Sequence, residues 1–194
     1  MNHPKDYLDY VKNIREPKNI SITSEREIAR GINVKSDPKA TRNKHLWCYR
    51  NDAIESVERW LMDFDVIEHP NFQSFRNFEE LYDYVEKNII GIKGVGAVMV
   101  YDVALCLGER MEPQVVPQEY VYVHGKLIDA ACHLFGLMKM PLHTVIRGHR
   151  ISISYFDTLG IGALDRRYAA RAVEEWLCNE AENIAKAKTI EELK

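Results

Sequence analysis

A chain of 194 residues, 46% hydrophobic and 28% charged, is long enough to bury a sizeable core and has the composition of a folded globular protein. Its formal net charge of −3 excludes a protein that holds nucleic acid by bulk positive charge, so any such contact has to be local. Cys48, Cys106, Cys132 and Cys178 stand far apart, with no Cys-x-x-Cys pair and no secretory leader, and no apolar run reaches about 18 residues; this predicts reduced thiols, a cytoplasmic protein and no membrane partner.

In chain order, residues 1–50 read as a basic N-terminal helix and extended arm, and residues 51–194 as a helical core. The arm holds 11 Lys or Arg against 6 Asp or Glu, residues 51–120 hold 5 against 14, and residues 121–194 hold 10 against 9. This asymmetry predicts either docking of the arm on the acidic middle or an exposed arm that meets nucleic acid. Tyr7, Tyr10, Val11 and Ile14 share one helical stripe, and Ser24 with Glu27 forms a capping box for a second short helix. Residues 31–45 have no hydrophobic period and read as a loop or an ordered arm.

Asn51 caps a predicted helix through Phe64, with Ile54, Val57, Leu61 and Phe64 inward and Trp60 beside them. Asn77 and Glu80 cap another through Asn88 that buries Phe78, Leu81, Tyr82 and Val85. Residues 97–107 follow as a helix apolar on all sides except Asp102, the pattern of a helix enclosed by protein. Beyond Gly108, the run Tyr120 to Val123 is extended but too short to anchor a sheet, and residues 125–138 return to helix with Leu127, Ile128, Ala131, Leu134 and Phe135 inward. Residues 144–155 fit either a strand or an extended connector. A last long helix spans about 163–186, burying Tyr168, Ala172, Val173, Trp176 and Leu177. The expected fold is therefore mainly α: a helical single domain with at most a short extended or β element.

Between the two central helices lies Lys93-Gly94-Val95-Gly96. Two glycines around one apolar residue permit a turn with positive φ and leave successive backbone N–H groups free to face an anion. With Ile89 and Ile92 before the turn and Val100, Val103 and Ala104 after it, residues 89–107 resemble the helix-hairpin-helix family. That resemblance implies DNA binding without sequence preference. The same sequence is also consistent with a hairpin that only packs two helices, since Ala97, Val98 and Met99 are apolar where phosphate-gripping hairpins carry small polar or basic residues.

Residues 89–136 further resemble the catalytic half of the helix-hairpin-helix base-excision DNA glycosylases. Two departures remove that activity from the expectation. The lysine that attacks the sugar in that family is matched by Val98, which cannot form a Schiff base, and the catalytic aspartate is matched by Tyr122, whose neutral phenol brings no formal charge to a cationic sugar. The resemblance thus implies a catalytically degenerate glycosylase-like fold. A second Gly-Ile-Gly, residues 160–162, reads as a loop that starts the last helix rather than as a second hairpin.

The resulting expectation is weak, sequence-independent binding of DNA or another phosphate-bearing partner through Lys93, Gly94, Val95 and Gly96, assisted by Arg147, Arg150 and Arg166, because arginine forks grip phosphate bidentately. Two alternatives stay open: an enzyme of another class using a pocket of Tyr101, Asp102, Tyr122, His124 and Lys126, or a protein-interaction or structural module. No catalytic residue is assigned. His143 and His149 have no carboxylate or cysteine between them, so neither metal nor cofactor is expected.

Overall fold

A computed structural model describes residues 4, 51–63, 75–109, 111, 113–147, 149–160 and 165–193. These form two compact units, one containing residues 51–116 and the other residues 117–193. The described chain is mainly helical, with one small sheet. The predicted helices within 1–30, the loop 31–45 and Phe64 fall outside the described residues.

In the first unit, α1 (Asn51–Asp63) buries Ala53, Ile54, Val57, Trp60 and Leu61, the spacing of one helical face. Helix α2 (Phe78–Ile89) starts as its sequence predicts. The Glu80 N–H donates to Asn77 Oδ1 at 2.9 Å, while the Glu80 carboxylate reaches back one residue further than expected and accepts from the Arg76 N–H at 3.0 Å. One side-chain acceptor and one carboxylate thus sit at the positive end of the helix, where both are favourable. Helix α3 (Ala97–Gly108) is the enclosed helix of the sequence reading, with Met99 to Leu105, Leu107 and Gly108 all buried. It packs on α2, and the Tyr101 ring meets Phe78 edge-on at 5.9 Å. The chain then turns back on the end of α3, where the Val115 N–H donates to the Gly108 carbonyl at 2.9 Å.

The second unit holds the sheet. Strands β1 (Tyr120–Tyr122), β2 (Ile146–Arg147) and β3 (Arg150–Ser152) are antiparallel in the order β1-β3-β2, with Val121 opposite Ile151 and Ile151 opposite Ile146. The short run at 120–122 therefore does pair, because β3 supplies a partner from about 30 residues downstream, a contact that local propensity does not encode. The ambiguous stretch within 144–155 divides between forms: β3 ends at Ser152 and a 3₁₀ helix covers Ile153–Leu159.

Helix α4 (Lys126–Leu137) buries Leu127, Ala130, Ala131, Leu134 and Phe135. It stops through Lys139, held at φ +55 while the Met140 N–H donates to the Phe135 carbonyl at 3.0 Å. Glycine is the usual occupant of that left-handed position, so lysine costs about 1 kcal/mol there. After the one-turn α5 (Leu142–Val145), α6 (Arg166–Asn179) and α7 (Ala181–Lys186) replace the single long helix expected at the C-terminus. The break falls at Glu180, and it lets α7 pack along α4, where the His133 Nε2 lies 2.8 Å from the Ala187 carbonyl. Val121, Ile151, Phe135, Phe156, Val173, Trp176 and Ile184 form the centre of this unit's core.

Candidate functional site

The link between α2 and α3 runs from Ile90 to Gly96 and is built from consecutive tight turns. The Ile92 N–H donates to the Ile89 carbonyl at 2.9 Å, and the Val95 N–H donates to the Ile92 carbonyl at 3.0 Å. In the second of these turns Gly94 occupies the third position with φ +90, the place where a type II turn demands a residue without Cβ. Gly96 differs. It is the N-cap of α3 in an extended conformation (φ −126, ψ 179), and a Cβ built on it meets no atom within 4 Å. Only the first glycine is required by the backbone; the second leaves the end of the helix open.

Lys93, Gly94 and Gly96 are exposed and Val95 is half-buried. No side chain caps α3, and no acidic residue lies in its first turn. The first N–H groups of a 12-residue helix are therefore not covered by a cap, beside one lysine and at the positive end of the helix dipole. Ile90, 45% exposed, is an apolar residue on the same link.

The three arginines belong to the second unit. Arg147 lies on β2, and its side chain is outside the described atoms. Arg150 pairs in register with Tyr122 across β1 and β3, and its guanidinium sits 5.5 Å over the Tyr122 ring. Arg166, the first residue of α6, is exposed with its Nη1 3.5 Å from Glu119 Oε1. Among the five residues of the alternative pocket, Tyr101 and Asp102 lie on α3 in the first unit and both are buried. Tyr122 and His124 are buried in the second unit and Lys126 is exposed at the start of α4. The His124 carbonyl accepts from the Leu127 N–H at 3.0 Å, and Gly125, at φ +51, makes the bend between strand and helix. Gly160 closes the 3₁₀ segment in a left-handed conformation, and Ile161 and Gly162 are outside the described residues.

One charged cluster escaped the sequence reading. Arg171 is buried on α6, where its Nη1 contacts Glu174 and its Nη2 lies 2.7 Å from Glu175 Oε1. The signal was present as Arg-x-x-Glu-Glu, the three- and four-residue spacing that brings helical neighbours together. Burial pushes the nearby Cys178 thiol above its ordinary value, against the opposing pull of Lys126. A thiol raised in the folded state contributes stability that is complete below the unfolded value near 9.0 and is lost as the pH climbs through the folded one. Cys178→Ala should therefore flatten the alkaline limb of a stability-against-pH curve, measured by urea unfolding from pH 7 upward. An unchanged limb would contradict that origin.

Among the described residues no group of three His, Cys, Asp or Glu is placed to hold a metal ion, and no helix is long and apolar enough to cross a membrane. Compared with known protein families, with characterised proteins and with solved structures, the chain shows no significant match.

Proposed function

We propose that the Lys93–Gly96 turn holds a phosphate of DNA, or of another phosphate-bearing partner, weakly and without sequence preference, and that the protein performs no glycosylase chemistry. The observation that carries this reading is the uncapped start of α3, with an exposed N-cap Gly96 ahead of half-buried Ala97 and Val98, behind a positive-φ glycine and with Lys93 in the same turn. Helix N-termini bind anions because their orphan N–H groups and the helix dipole act together.

Charge sets the strength. Residues 51–120 carry 14 acidic against 5 basic side chains, so this stretch as a whole repels a long polyanion and its grip has to be local to the turn. The N–H donors bear no formal charge, and Lys93 alone can displace a condensed counterion there. Binding should then weaken with salt at a logarithmic slope of about −1, the value for one neutralised phosphate. Arg150 and Arg166 would steepen it only by leaving Tyr122 and Glu119, their present neighbours.

The test is a titration of a labelled DNA duplex at two salt concentrations. The reading predicts binding at low salt, a slope near −1 and loss of binding in Lys93→Glu. No binding at low salt would overturn it, as would tight binding that Lys93→Glu leaves intact.

A further inference from the structure

We draw no further inference here: the strongest candidate, the side-chain cluster of Arg171, Glu174, Glu175 and Cys178 along α6 near Lys126 of α4, is an ion network beside a lone thiol, and nothing in the structure points to a ligand for it.

Discussion

Replacing Arg171 with methionine should lower the unfolding free energy by about 3–5 kcal/mol, the range found when one member of a buried ion pair is removed. The side chain is 9% exposed and its two forks are taken by Glu174 and Glu175, at 1% and 14% exposure. Methionine fills much of the volume but withdraws the cation, leaving two carboxylates in a poorly solvated position. A Glu174→Gln, Glu175→Gln, Arg171→Met triple variant, which removes the two stranded charges as well, should recover part of the loss. Urea unfolding of wild type and variants at neutral pH makes the comparison. A loss under about 1 kcal/mol, the usual ceiling for an exposed pair, would mean the cluster is solvated.

Gly108→Ala should be nearly as damaging, by about 3 kcal/mol or more, because overpacking against backbone has no cheap relief. A Cβ at that position would lie 1.9 Å from the Val115 carbonyl oxygen and 3.0 Å from Leu81 Cδ2. The first neighbour is main chain, and its own N–H is bonded to the Gly108 carbonyl, so relieving the clash breaks that bond as well. A thermal melt reads the effect. If alanine is accepted with an unchanged midpoint, the return of the chain onto the end of α3 is wrong.

Much of the helical architecture was legible because it is local. Asn77 followed by Glu80, the apolar faces of α1 and α4, and the all-apolar α3 around Asp102 each announce themselves within one or two turns of chain. The long-range features were not. Nothing near Tyr120 reveals that residues 150–152 will pair with it, and the end of α6 at Asn179 depends on α7 finding α4, roughly 50 residues earlier in the chain. Gly108 reads as an ordinary helix stop, and only the returning strand of chain at Val115 shows why a methyl group is barred there. For the candidate site, the sequence indicated a glycine turn but not the division of labour within it. Gly94 answers a steric demand, whereas Gly96 is a vacancy that a capping side chain could fill. Arg171 belongs to a buried cluster because Glu174 and Glu175 follow it at helical spacing.

That vacancy allows the central claim to be tested without damaging the fold. Gly96 has negative φ and room for a side chain, and aspartate is among the best N-cap residues, better than glycine by a few tenths of a kcal/mol. Its carboxylate would occupy the N–H groups of α3 and repel phosphate. In Gly96→Asp the melting temperature should hold or rise slightly while DNA binding at low salt disappears. A folded Gly96→Asp protein that binds DNA as tightly as wild type would contradict the account.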